Sequence, residues 1–268
     1  MNPRPRNITD RLPAHAAGQP VPCIPDGVAL VTGGARRVGR AIVEELASAG
    51  YRIAIHCHRS VAEAHELAAS LSGSGVRAGV VQGDLADRAS WPRIVRSVVD
   101  QLGRLDVLVN NASLFLTDRP DRAEEFDPDL WDRMFRVNLL APVSLACHAR
   151  PYLEASGRGA VVNLADAGTE RSWPDHLAYC ASKAALVNVT RGLARALAPS
   201  VRVNAVAPGI AEFPEAYTPE LRESLVKRVP LGRPGTAQEV ARLVRFLVDG
   251  APYITGQVVN IDGGRSVV

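Results

Sequence analysis

Lysine is nearly absent from this chain. Of 31 basic residues only Lys183 and Lys227 are lysine, the rest arginine, so a lysine kept at position 183 carries added weight. Cysteine is scarce too: Cys23, Cys57, Cys147 and Cys180 form no CxxC pair and no metal-ligand spacing with histidine. That excludes a disulfide scaffold and a zinc site as organising features, and free thiols in a reducing compartment are expected. No apolar run reaches the ~18 residues a membrane helix needs, and the amino-terminal stretch lacks the roughly 7–15-residue apolar core of a secretory signal. The expectation is a soluble, cytoplasmic protein with no membrane partner. Charge of one sign is missing as well. With 31 basic and 28 acidic residues, a formal charge of +3 and no basic stripe, nucleic acid is not an expected partner.

What remains is 268 residues, 47% of them hydrophobic, enough for a substantial core. Residues 1–26 hold six prolines from Pro3 to Pro25 and scattered charges, so they are read as a disordered extension. From Gly27 to the end, a single domain is expected, because valine- and isoleucine-rich runs alternate evenly with stretches of helical spacing. Strands are expected at Val28–Thr32, Arg52–Cys57, Arg77–Gln82, Val107–Asn110, Ala160–Leu164, Arg202–Ala207 and Val258–Ile261. Helices are expected near 38–49, 61–71, 90–102, 129–154, 177–198 and 237–248. Near-continuously apolar strands separated by helices imply an α/β fold: a Rossmann-like, doubly wound, seven-stranded parallel sheet with helices on both faces.

The first strand runs into Thr32-Gly33-Gly34-Ala35-Arg36-Arg37-Val38-Gly39 and then a helix. In that context glycines make a tight turn and let a pyrophosphate approach the free amides of the helix N-terminus. After the second strand, where a carboxylate would accept from a ribose 2′-hydroxyl, the chain reads His56-Cys57-His58-Arg59-Ser60. Without an acid there, and with Arg59, Ser60 and Arg36 available to a 2′-phosphate, NADPH is favoured over NADH. The alternative is that Arg59 is only a solvated residue at a helix start.

Further motifs then accumulate in order: Asp84-Leu85 after the third strand, Asn110-Asn111-Ala112 after the fourth, Asn138 in the long helix, Tyr179-Cys180-Ala181-Ser182-Lys183, Asn204 to Gly209, and Ile261-Asp262-Gly263-Gly264. From about Gly27 to Gly264 the chain resembles the short-chain dehydrogenase/reductase family. The resemblance implies that Tyr179 and Lys183, four apart on one helix face, form the proton-transfer pair, with the ammonium lowering the phenol's pKa. It further implies that Lys183 holds the nicotinamide ribose, Asn138 keeps a water in the relay, and Asp84 and Asn111 face the adenosine. Gly33, Arg37 with its guanidinium beside the pyrophosphate, Val38, Gly39, Leu85, Ala112, Ser113, Tyr179, Pro208 and Gly209 complete the implied cofactor contacts, and His58, Arg59 and Ser60 the 2′-phosphate contacts. A homotetramer is implied as well.

Three departures bear on substrate. Thirteen residues before Tyr179, where ketone reductases of the family carry serine, stands Asp166. An ionised carboxylate repels the negative charge that builds on a ketone oxygen, whereas it suits a carbon–nitrogen double bond on a ring bearing N–H donors. Arg37 replaces a customary glycine of the turn, and Ser113-Leu114-Phe115 follows Ala112 where another glycine is customary. Phe115 can stack on a flat heterocycle, although a lone phenylalanine is more often core. Together these look like the pteridine reductase branch, including dihydromonapterin reductases, in which Arg37, Ser113 and Phe115 hold a pterin while Asp166, Tyr179 and Lys183 manage protons. The expected activity is NADPH-dependent reduction of a dihydropterin, of dihydromonapterin or dihydrobiopterin type and extending to dihydrofolate. The alternatives are a carbonyl reductase acting on an oxoacyl thioester or sugar ketone, and a nucleotide-binding regulator without turnover. Residues 210–230 are expected to be an irregular substrate loop; His65, His148 and His176 are read as surface or helix residues, and no metal site is expected.

Overall fold

The structure is a computed structural model that describes residues 26–118, 124, 126–170, 172–213 and 217–268. The proline-rich stretch 1–25 lies outside the described residues.

Seven strands form one parallel sheet: β1 (Val28–Val31), β2 (Arg52–Cys57), β3 (Ala78–Gln82), β4 (Val107–Asn110), β5 (Gly159–Leu164), β6 (Val201–Pro208) and β7 (Val258–Ile261). Their order is β3-β2-β1-β4-β5-β6-β7, a doubly wound arrangement of parallel strands. Because successive side chains point to opposite faces, Ala29 and Val31 join one apolar layer and Val28 and Leu30 the other. The first layer is closed by α1 (Arg37–Ser48) through Ile42 and Leu46, and by a helix later in the chain through Val240 and Val244. α2 (Val61–Gly73) packs on β2 and β3 with Ala64 and Leu67 in that same first layer, and on the opposite face lies α3 (Ser90–Leu102), with Ile94 and Val98 turned to the sheet. Truncating a fully buried side chain such as Leu30 to alanine costs about 2–5 kcal/mol in such a core.

The helix expected over 129–154 is interrupted. It comprises α4 (Pro128–Phe135), a π-helical turn at Arg136–Leu140, and α5 (Ala141–Ala155). Pro142 supplies the reason, since it lacks the N–H that the carbonyl four residues earlier, at Asn138, would accept in a regular α-helix. After β5 comes α6 (Leu177–Leu197), of the expected extent to within a residue.

The expectation of an irregular loop over 210–230 needs correction, because α7 (Pro219–Val226) lies within it. Its start was readable: Thr218 accepts from the Leu221 amide as N-cap, and Pro219 stands in the first turn where its missing N–H costs nothing. The last helix, α8 (Ala237–Arg245), opens with a capping box in which Thr236 and Glu239 satisfy each other's backbone amides. No helix of the described residues is long and apolar enough to cross a membrane.

Candidate active site

In this strand order the winding switches sides between β1 and β4, which opens a crevice at the carboxyl ends of the parallel strands. A cavity of about 1040 Å³ lies there, lined by the turn after β1, the segment after β4, the ends of β5 and β6, and the start of α6.

The turn after β1 is held from below. Thr32 Oγ1 accepts from the amides of Asn111 (2.9 Å) and Ala112 (3.0 Å), while Asn111 Nδ2 donates to the carbonyls of Thr32 and Gly33. A Cβ at Gly39 would stand 2.1 Å from the Gly33 carbonyl oxygen, so only glycine allows the helix to start this close to the turn. His56, which no motif singled out, clamps the same turn. Its Nδ1 accepts from the Gly33 amide at 3.2 Å, its carbonyl accepts from the Gly34 amide, and Nε2 donates to Gly83 O at 3.1 Å. Burial pushes the imidazole pKa down to about 4, which fixes it as the neutral ring these two bonds demand.

The Gly33 amide is therefore spoken for. The anion-facing amides are those that open α1, whose N-cap Arg36 provides no side-chain cap and whose first turn carries no acid. A dinucleotide diphosphate fits that end. Arg37 takes φ 53°, in the left-handed region that a glycine would occupy freely. Its guanidinium does not lie free beside a phosphate site, because Nε donates to Glu212 Oε2 at 2.7 Å. Gly33, Arg36, Val38, Gly39, Asn111, Ala112, Pro208 and Gly209 all border the cavity, but the Asn111 amide donates inward to the turn. His58, Arg59, Ser60, Asp84 and Leu85 lie outside its lining. His58 faces Asp84 at 3.8 Å, Leu85 is buried, and Arg59 is exposed past β2 with no carboxylate partner among the described residues.

Asp166, Tyr179 and Lys183 come together as the family resemblance implied. Asp166 follows β5, and its Oδ2 accepts from the Tyr179 hydroxyl at 2.7 Å while Oδ1 accepts from the Gly168 amide. Lys183 Nζ donates to Leu164 O at 2.6 Å and lies 5.9 Å from the Tyr179 ring centroid. The expected lowering of the phenol's pKa is not found. Burial and the adjoining Asp166 carboxylate push Tyr179 well above 10, and outweigh an ammonium engaged elsewhere. Burial also raises Asp166, and lowers Lys183 to about 8.

Asn138 sits in the π-helical turn and is buried, but its side chain is fully engaged. Oδ1 accepts from Leu114 N (2.8 Å) and Ser113 Oγ (3.2 Å), and Nδ2 donates to Leu114 O and Ser182 Oγ. It fixes the Ser113–Leu114 segment against α6, and the side-chain role in holding a relay water is not what this geometry provides.

Phe115 is half-exposed and belongs to a box of rings. It stacks on His176 (4.3 Å between centroids, 23°), meets Tyr179 edge-on at 4.8 Å, and lies near Trp173, which is parallel to the Tyr179 ring at 6.3 Å. Trp173 and His176 were not readable as site residues. His176, expected at the surface, lines the cavity instead, because a 3-10 turn at Pro174–His176 swings it back towards Leu116 O.

Among known proteins, the family described as enoyl-(acyl carrier protein) reductase matches residues 33–266. The chain belongs to the short-chain dehydrogenase/reductase family. One curated relative, the 3-oxoacyl-[acyl-carrier-protein] reductase FabG of Staphylococcus aureus, is 35% identical over 240 residues, 88% of this chain and 96% of its own. The FolM alternative dihydrofolate reductase 1 of Brucella canis, solved with NADP, is 43% identical with a TM-score of 0.86, covering 92% of this chain and 96% of that one. A blue fluorescent protein from a metagenomic library, solved with NADPH, is 34% identical with a TM-score of 0.84, covering 91% and 99%. Tyr179 and Lys183 share α6, and Asp166, just past β5, stands beside the tyrosine.

Proposed function

We propose that the chain reduces the carbon–nitrogen double bond of a dihydropterin, dihydrofolate included, with NADPH as reductant. The observation that carries the reading is the half-buried Asp166 carboxyl hydrogen-bonded to Tyr179 at 2.7 Å, in place of a neutral hydroxyl. The likeness to a protein described as an alternative dihydrofolate reductase supports it.

The chain uses NADP(H), which, when bound, supplies the hydride. The amides opening α1 are suited to its diphosphate, and Arg59 and Ser60 past β2 to a 2′-phosphate. Lys183, with a pKa near 8, keeps most of its positive charge at neutral pH and offsets the carboxylate beside it. Asp166 and Tyr179 share one proton across their hydrogen bond, and burial raises the carboxyl towards the range where it can carry that proton. The pair thus holds a proton ready for a ring nitrogen, and once ionised the carboxylate accepts N–H bonds from the ring. Phe115, His176 and Trp173 offer faces to a flat heterocycle and exclude water from it.

The second reading is reduction of an oxoacyl thioester, favoured by the 35% identity to FabG. Asp166 opposes it, since a carboxylate beside a developing alkoxide destabilises that charge. Loss of absorbance at the NADPH near-ultraviolet band, measured with dihydrobiopterin, dihydromonapterin, dihydrofolate and acetoacetyl-CoA, separates the two. Turnover of acetoacetyl-CoA alone would reject the dihydropterin reading.

A further inference from the structure

Four arginines line the cavity, and two of them are paired. Arg37 meets Glu212 at 2.7 Å and Arg36 meets Glu63 at 3.8 Å. Arg228 and Arg265 face the same space, and neither has an ion-pair partner within salt-bridge distance among the described residues. Arg265 lies close enough to Asp166 for its charge to favour the ionised carboxyl.

The backbone that presents these two side chains is locked. Leu231 N donates to Gly263 O at 3.1 Å, so the segment leaving α7 runs against the turn that follows β7. The packing is tight enough that a Cβ on Gly263 would come within 2.6 Å of Val229 Cγ1, and one on Gly264 within 3.1 Å of Pro230 Cγ. Asp262 secures the other side, accepting from the amides of Gly264 (3.0 Å) and Ser266 (2.6 Å). The closing Asp262-Gly263-Gly264 stretch thereby fastens the Arg265 segment to the Arg228 segment. Both guanidiniums border one cavity, so an anion seated there can accept charge-assisted hydrogen bonds from them.

The cavity is also large. At about 1040 Å³ it stands at the upper end of the roughly 300–1,000 Å³ usual for a ligand cleft, leaving room for more than a bare heterocycle beside a cofactor. Resting on the dihydropterin reading, we propose that Arg228 and Arg265 form an anion subsite that takes the carboxylate tail of a folate-type substrate, so that the enzyme prefers a tailed dihydropterin to a bare one.

The test compares kcat/KM for dihydrofolate and for dihydrobiopterin in the native enzyme, in Arg228→Gln, in Arg265→Gln and in the double variant, with acetoacetyl-CoA as a third arm. The ratio of dihydrofolate to dihydrobiopterin is expected to fall about 10-fold or more per arginine, as loss of a charge-assisted bond predicts, chiefly through the KM of dihydrofolate. Raising ionic strength should lower the same ratio in the native enzyme and much less in the double variant. Arg228→Lys should restore part of the ratio, which a merely misfolded Arg228→Gln would not explain. An unchanged ratio with both pterins turned over overturns the subsite and leaves the dihydropterin reading standing. Turnover of acetoacetyl-CoA only, with its KM raised in the variants, makes the anion a phosphate and overturns both.

Discussion

The neutral clamp at His56 makes the stability of this protein acid-sensitive by a calculable amount. The imidazole is buried, and its pKa is lowered from 6.5 to about 4. A depressed histidine binds its proton more readily in the unfolded chain, so its contribution is complete above pH 6.5 and is lost as pH falls through the window from 6.5 to 4. At about 1.4 kcal/mol per unit, the full loss is about 3 kcal/mol, of which about 2 kcal/mol is gone by pH 5. The physical event is conversion of Nδ1 from an acceptor into a donor that opposes the Gly33 amide. Urea unfolding followed by tryptophan fluorescence at pH 7.5 and pH 5.0 measures it, with His56→Gln as the reference. The variant keeps His58 and Asp84, the nearby ionisable groups, so their titration cancels. It should be less stable at pH 7.5, by the ~1–3 kcal/mol of an unsatisfied buried amide. The native protein should nevertheless lose about 2 kcal/mol more than the variant between the two pH values. Equal losses in both would refute the neutral-clamp assignment.

Other predictions concern the chemistry. Asp166→Asn should depress NADPH oxidation with a dihydropterin by about 10²–10⁴-fold, the range expected when a proton-transfer group is removed, while NADPH binding by fluorescence persists. A loss of less than threefold would remove Asp166 from the reaction. For the native enzyme kcat/KM should decline as pH rises past about 8, where Lys183 gives up its charge, and Lys183→Arg should abolish that limb even at a lower rate. A limb that survives in Lys183→Arg belongs to another group. Glu212→Gln frees the Arg37 guanidinium. Because the pair is partly exposed and worth under ~1 kcal/mol, NADPH should bind about two- to fivefold tighter, read as a shift in Kd by fluorescence titration.

The sheet was legible because its strands are apolar on both faces and the helices between them keep a separate period; all seven strands lie within about a residue of the expected limits. The Asp166, Tyr179 and Lys183 constellation was legible through the family resemblance, helped by the four-residue spacing that puts Tyr179 and Lys183 on one face of α6. What stayed hidden depends on contacts between segments distant in sequence. His56 and Gly33 meet across two strands, Arg37 finds Glu212 175 residues away, and Trp173 and His176 reach the cavity only through a short turn without periodicity. The sign of the Tyr179 shift was hidden for a related reason. A motif states that lysine is near tyrosine, but not that a carboxylate is nearer and the ammonium turned to Leu164.

Arg37 occupies a backbone conformation that disfavours any side chain, at a cost on the order of 1–2 kcal/mol relative to glycine. Replacement by glycine would thus relieve the fold at the very place where the first turn loses its guanidinium. Selection for heat resistance would favour glycine at this residue, at the cost of the Arg37–Glu212 ion pair. A screen that scores only folding would accept Arg37→Gly without registering what the guanidinium contributes at the cavity.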